Sequence, residues 1–271
     1  MSPLSAAILA IIQGLTEFLP VSSSGHLVLG EALLGSHAFG NSIAFELVVH
    51  LGTFLAVLVI FWKDIIHLAG VFFTRFLKPG SWSTEYNQND DFKTAVLMLI
   101  AMLPAGVVGL LLRDQISELF SQPFMVSIAL LFTGSMLLST KYFKKSDQQI
   151  DFRKALLIGF AQALALVPGI SRSGSTISMA LGLGVKQEQA ARFSFIMVLP
   201  LIIAATILEF IDLIKVGISS DEVSILLIGL IISFVVGIFS LKWLLQLLKR
   251  GKFHYFAWYC FTVAIMGLFF F

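Results

Sequence analysis

Long apolar runs constrain this chain more than any other feature. Six of them, at about 43–62, 92–112, 124–141, 193–213, 223–245 and 254–271, approach the ~20 residues a helix needs to cross a bilayer. Strands of a membrane barrel would alternate apolar and polar residues, and these runs do not. Charged residues make up 13% of the 271 and hydrophobic ones 58%, against ~25% charged in a soluble domain. The expectation is an all-α polytopic membrane protein, one integral domain over 1–271. A net charge of +2 gives no reason to expect nucleic acid as a partner. Cys260 is the single cysteine, so no internal disulfide forms. The N-terminus lacks the basic stretch of a signal peptide, so the first apolar run is expected in the mature fold.

Two further apolar stretches are interrupted. Residues 4–35 break at Pro20 and the serines Ser22 to Ser24; residues 155–184 break at Pro168-Gly169 and Ser171 to Gly174. Each half is too short to cross alone. Irregular backbone at membrane depth is tolerated only when buried in protein or lining a polar cavity. Both stretches are expected to form re-entrant helical hairpins whose tips meet; a proline-kinked full span is the plain alternative. The two also match. Gln13 aligns with Gln162, Leu15 with Leu164, and Ser22-Ser23-Ser24-Gly25 with Ser171-Arg172-Ser173-Gly174. Three spans follow each. Three is odd, so the second copy enters from the opposite side, giving inverted-topology repeats at about 1–145 and 150–271.

The basic residues test that topology. Of 18 Lys and Arg, all but three fall on one side; Arg113 and Lys215 fall on the other, and Arg172 lies in the second hairpin. By the positive-inside rule the first hairpin enters from the outer face and both termini lie outside. Residues 63–91 form the longest polar connection, where "STEYNQNDDFK" is expected to be a solvated loop.

The hairpin tips hold the chemistry. Gln13 and Glu17 are one helical turn apart and share a face. Ser22, Ser23 and Ser24 stand at the start of the next half-helix, where free N–H groups and the dipole favour an anion. His26 lies just inside it. Ser171, Ser173, Ser175 and Thr176 give the second tip the same character, and Arg172 adds a planar fork suited to phosphate. Glu17 is expected as a cation ligand or general base, or merely as the counter-ion of Arg172. His26 could be a packing residue, any one serine a cap, and Gly25 and Gly174 could serve close packing. Glu46 and His50 share a face and could support the site; they and Glu209 could equally be structural.

On these residues the chain closely resembles the undecaprenyl-diphosphate phosphatase (bacitracin-resistance) family of bacterial membrane proteins. The resemblance rests on Gln13 to Glu17, Pro20 to His26 and Pro168 to Thr176, with "FELVVHLGTFLAV" and "RFSFIMVLPL" beside them. It implies hydrolysis of undecaprenyl diphosphate to the monophosphate carrier at the outer side of the cytoplasmic (inner) membrane. It also implies a divalent cation, Mg or Ca, and an active site of Glu17, Ser23, His26 and Arg172. The phosphates would then lie against Ser22, Ser24, Gly25, Ser171, Ser173, Gly174 and Thr176, with Glu17 and Gln13 holding the cation. Some family members have Glu where this chain has Gln13. The nucleophile stays open between Ser23, His26 and a metal-bound water, as does the oligomeric state. A transporter that flips the lipid monophosphate is the rival reading.

Overall fold

The structure is a computed structural model that describes residues 2–34, 43–78, 80, 82–144, 146–204, 206–207 and 220–271. Among these there is no strand. The chain runs through α1 (Pro3–Thr16), α2 (Ser23–Leu34), α3 (Ile43–Ile60), α4 (Trp62–Phe76), α5 (Trp82–Gln88), α6 (Asp90–Leu111), α7 (Arg113–Leu119) and α8 (Pro123–Ser139). It continues through α9 (Phe152–Leu164), α10 (Arg172–Gly182), α11 (Gln187–Met197), α12 (Ser220–Lys249) and α13 (Phe256–Phe270). Short polar side chains start the helices. Ser2 caps α1 through Ser5 N at 3.1 Å, with Pro3 in the first turn; Asn89 caps α6 through Phe92 N and Asp151 caps α9 through Lys154 N, both at 2.9 Å.

Among the described residues, four segments are long and apolar enough to cross a membrane: Asp90–Leu111, Pro123–Tyr142, Val223–Lys249 and Phe253–Phe270. They match four of the expected spans, and the protein is a multi-pass membrane protein. The expected span 43–62 is α3, 18 residues or about 27 Å of helix, which turns by 80° into α4 at Phe61. The expected span 193–213 is not one continuous helix. α11 begins earlier, at Gln187, and breaks at Val198. Pro200 has no N–H to give the Ile196 carbonyl, so the ladder lapses there. Residues 205 and 208–213, and with them Glu209, lie outside the described residues, as do Lys145, Lys215 and Ser219.

The polar connection 63–91 is not a loop. α4 and α5 fill most of it, because its charges pair rather than face only water. Arg75 Nη1 meets Glu85 Oε1, His67 Nε2 meets Asp91 Oδ2 and Arg192 Nη2 meets Asp64 Oδ1, each at 2.8 Å. Trp82 Nε1 donates to the Phe76 carbonyl at 2.9 Å.

Both interrupted stretches are helical hairpins, broken at 17–22 and 165–171. α1 lies along α12 and α3, and α9 lies along α6. Small residues permit these crossings: a Cβ on Gly159 would fall 2.5 Å from the Ala101 carbonyl, and one on Gly14 would fall 2.8 Å from Val236 Cβ. Such close backbone approach is how membrane helices gain packing contacts when lipid is as apolar as their side chains. Phe18, Phe195, Ile158, Ile177 and Leu241 pack around the tips, which shields the polar residues between them from lipid.

Candidate active site

The first tip begins on the last turn of α1. Gln13 Nε2 donates to Glu17 Oε2 at 2.9 Å, as their one-turn spacing allows. The chain then turns through Ser22, whose φ of 68° is unusual for a residue with a side chain. That turn puts Ser22 Oγ 3.2 Å from Gly25 N, so it caps α2, and sends its carbonyl to His26. Ser23 Oγ donates to Glu17 Oε2 at 2.8 Å. Ser24 Oγ lies 3.2 Å from Ser22 Oγ.

The second tip repeats these bonds. Ser171 Oγ caps α10 through Gly174 N at 3.1 Å and lies 3.3 Å from Ser173 Oγ. Thr133 of α8 steadies the turn: its hydroxyl donates to the Gly169 carbonyl at 2.8 Å and accepts from Ser171 N at 3.1 Å. Gly169, at φ 95°, takes a conformation a side chain would strain. The tips touch. A Cβ on Gly25 would fall 3.0 Å from Gly169 Cα, and one on Gly174 would fall 3.4 Å from Pro20 Cβ. Across this contact Arg172 Nη2 donates to Glu17 Oε1 as a close ion pair.

Gln13, Glu17, Ser23 and Arg172 therefore converge around one carboxylate that is only 8% exposed. His26 belongs to the same tip but points elsewhere. Its Nδ1 lies 2.8 Å from the Ser22 carbonyl, which can only accept, so Nδ1 is the protonated nitrogen of the neutral ring. Its Nε2 then accepts from the Tyr259 hydroxyl at 2.8 Å, with the two rings stacked. Ser173 and Thr176 are buried and bond inward, to the Leu19 and Arg172 carbonyls. Gln162, the match of Gln13, is buried with both ends of its amide unpaired; the match of Glu17 is Leu166, so it has no carboxylate beside it.

Two neighbours complete the constellation. His50 of α3 brings Nε2 to 3.9 Å from Glu17 Oε2, so the pair on α3 supports the site through His50, while Glu46 contributes its carbonyl to the ring. Tyr259 was not singled out by sequence reasoning. Its hydroxyl did not stand out, because the span 254–271 also carries Tyr255 and Thr262. Tyr259 also forms one wall of an apolar cavity of about 470 Å³, lined by Leu15, Leu19, Trp243, Leu247 and Phe256.

The arrangement has the parts for phosphoryl transfer. A hydroxyl is bonded to a carboxylate, a guanidinium stands over it, and two capped helix N-termini face each other. Among the described residues no three His, Cys, Asp or Glu gather as a metal cluster. Oxygen donors suited to a hard cation are present: Glu17, and beside it Gln13 Oε1, a buried acceptor with no partner.

The family model described as bacitracin resistance protein BacA matches residues 6–266. A protein of Salinibacter ruber named undecaprenyl-diphosphatase is 40% identical over 263 residues, 97% of each chain. One of Bacteroides thetaiotaomicron, with the same name, is 40% identical over 273 residues, covering 99% of this chain and 97% of its own. One of Methanosphaera stadtmanae, again so named, is 37% identical over 272 residues, 98% and 96% of the two chains.

Proposed function

The chain belongs to the bacitracin resistance protein BacA family, and on that premise we propose that it hydrolyses undecaprenyl diphosphate to undecaprenyl phosphate and inorganic phosphate. This reaction recycles the lipid carrier of peptidoglycan synthesis and accounts for bacitracin resistance. The observation that carries the reading is the bond from Ser23 Oγ to Glu17 Oε2, made within reach of Arg172.

The mechanism follows from these contacts. Arg172 swings from Glu17 to the diphosphate and grips two of its oxygens. Glu17 takes the Ser23 proton as Oγ bonds to the terminal phosphorus, and the bridging P–O bond breaks to release the lipid monophosphate. Water then hydrolyses the phosphoserine, with His26 and its Tyr259 partner handling the proton. The N–H groups at the starts of α2 and α10, kept in place by the caps of Ser22 and Ser171, face the developing charge. Ser24, Gly25, Ser173, Gly174 and Thr176 shape the two tips around it. Glu17 and the Gln13 amide oxygen would hold a divalent cation, Mg or Ca, which would supply positive charge against the phosphate oxygens. The isoprenoid chain lies along the apolar cavity walled by Tyr259, the hydrogen-bond partner of His26.

We read the architecture as two inverted repeats, about 1–145 and 150–271. Three observations support this. The caps of the two tips are bond-for-bond equivalent. The Gly25–Gly169 approach has its counterpart in Gly174–Pro20. The α1–α12 packing has its counterpart in α9–α6. With the basic residues inside, the site opens to the outer face of the bacterial cytoplasmic membrane. The half-exposed His50 and exposed Glu46 on the first turns of α3 suit that opening.

The test is phosphate release from undecaprenyl diphosphate by protein purified in detergent, with and without Mg(II) or Ca(II). Wild type releases phosphate, and Glu17→Gln, equally well folded, releases none. A protein that only flips lipid releases none in either form, and near-normal release by Glu17→Gln refutes the base role.

A further inference from the structure

His50 has no task in the mechanism above, yet its ring is fixed beside Glu17. Nδ1 lies 2.8 Å from the Glu46 carbonyl oxygen. A carbonyl only accepts, so Nδ1 carries the proton and the neutral ring keeps a bare lone pair at Nε2. That lone pair faces Glu17 Oε2 at 3.9 Å, too far for a hydrogen bond. Oε2 already accepts from Gln13 and Ser23. Gln13 Oε1, a third acceptor, is buried alongside without a partner. His50 Nε2 and Glu17 Oε2, two acceptors facing each other, repel unless a proton or a cation lies between them. A backbone carbonyl on the far ring nitrogen is also how metal-ligating histidines are usually held.

We propose that His50 Nε2 is a ligand of the divalent cation in this chain, joining Glu17 and Gln13 Oε1 in a mixed nitrogen and oxygen site. The proposal rests on reading the hairpin tips as the phosphatase site. One imidazole, one carboxylate and one amide oxygen would leave positions for water and for substrate phosphate oxygens. The His50 side chain is 43% exposed, so protein does not close it off from an incoming ion. The Gln13 amide responds to it: Nε2 donates to Glu17 when the ion is absent, and Oε1 turns to the ion when it is bound. An imidazole shifts selectivity. Mg(II) and Ca(II) favour all-oxygen sites, whereas Mn(II), Co(II) and Zn(II) gain from nitrogen.

The test needs no turnover. Mn(II) is titrated into the full chain in detergent without substrate. Electron paramagnetic resonance of free Mn(II) gives the affinity, and pulsed measurements detect directly bonded nitrogen. Wild type should show nitrogen coupling. His50→Gln should lose it, and its Mn(II) affinity should fall about tenfold or more, while Ca(II) affinity, measured by competition, changes much less. Thermal melting without metal checks that the variant folds; should it not, the wild-type spectrum decides alone. Bound Mn(II) without nitrogen coupling overturns the proposal and leaves His50 as an imidazolium partner of Glu17. Coupling that persists in His50→Gln, or no Mn(II) binding, also overturns it. Phosphate release is scored separately: its absence from wild type sinks the phosphatase reading, whatever the spectrum shows.

Discussion

Replacing Arg172 by lysine separates charge from shape at the centre of the site. Arg172 donates through Nη2 to Glu17 Oε1, and it is the one cationic side chain bonded to that carboxylate among the described residues. Lysine keeps the countercharge, so folding should hardly change. Alanine leaves Glu17 buried and uncompensated, which costs about 3 kcal/mol, the lower end for a broken buried pair because Arg172 is itself 26% exposed. Turnover should behave differently. The fork is the only part able to hold two phosphate oxygens, and lysine has none. Losing one of two charge-assisted bonds in the transition state costs at least ~1.4 kcal/mol, or about tenfold. The expected pattern is a Lys variant that melts like wild type with turnover reduced about tenfold or more, and an Ala variant impaired in both. Steady-state phosphate release and thermal melting, run on the same preparations, read the two effects. A Lys variant within about twofold of wild-type turnover would show that Arg172 merely neutralises Glu17, and the clamp would be refuted.

Other expectations follow from the same geometry. Tyr259→Phe keeps the stacked ring and cavity wall but removes the hydrogen bond to His26 Nε2; kcat should drop severalfold, for about 1 kcal/mol, with KM little changed, and an unaltered kcat would take Tyr259 out of the proton path. For the topology, cysteines placed at the exposed Ser121 and Ser146 in a Cys260→Ala background should respectively react and fail to react with a membrane-impermeant thiol reagent applied to intact cells. Labelling in the reverse pattern would overturn the proposed orientation of the active site.

Much of this was legible in the sequence because the bilayer imposes so few solutions. Backbone groups without water must bond within their own segment, so an apolar run of ~20 residues is expected to be a helix, although the run at 193–213 breaks at Val198. α6, α8, α12 and α13 follow from that rule alone. The two hairpins were legible for the converse reason: a proline followed by a serine run favours a break and a new helix start, where Ser22 and Ser171 cap the next helix through local bonds. The Gln13–Glu17 pair was equally local, being one turn apart. Contacts between distant segments were not legible. α4 does carry an apolar stripe at helical spacing, hidden by the polar composition of 63–91, but the pairs Arg75–Glu85 and Asp64–Arg192 depend on how the chain folds back. That His26 turns to Tyr259 was decided by the approach of α13 to the first hairpin, and that Ser23 bonds Glu17 depends on the turn through Ser22. His50 came within 3.9 Å of Glu17 only because α3 packs against α1. Side-chain hydrogen bonds depend on distances of tenths of an ångström, and a linear sequence sets such distances only over a turn or two.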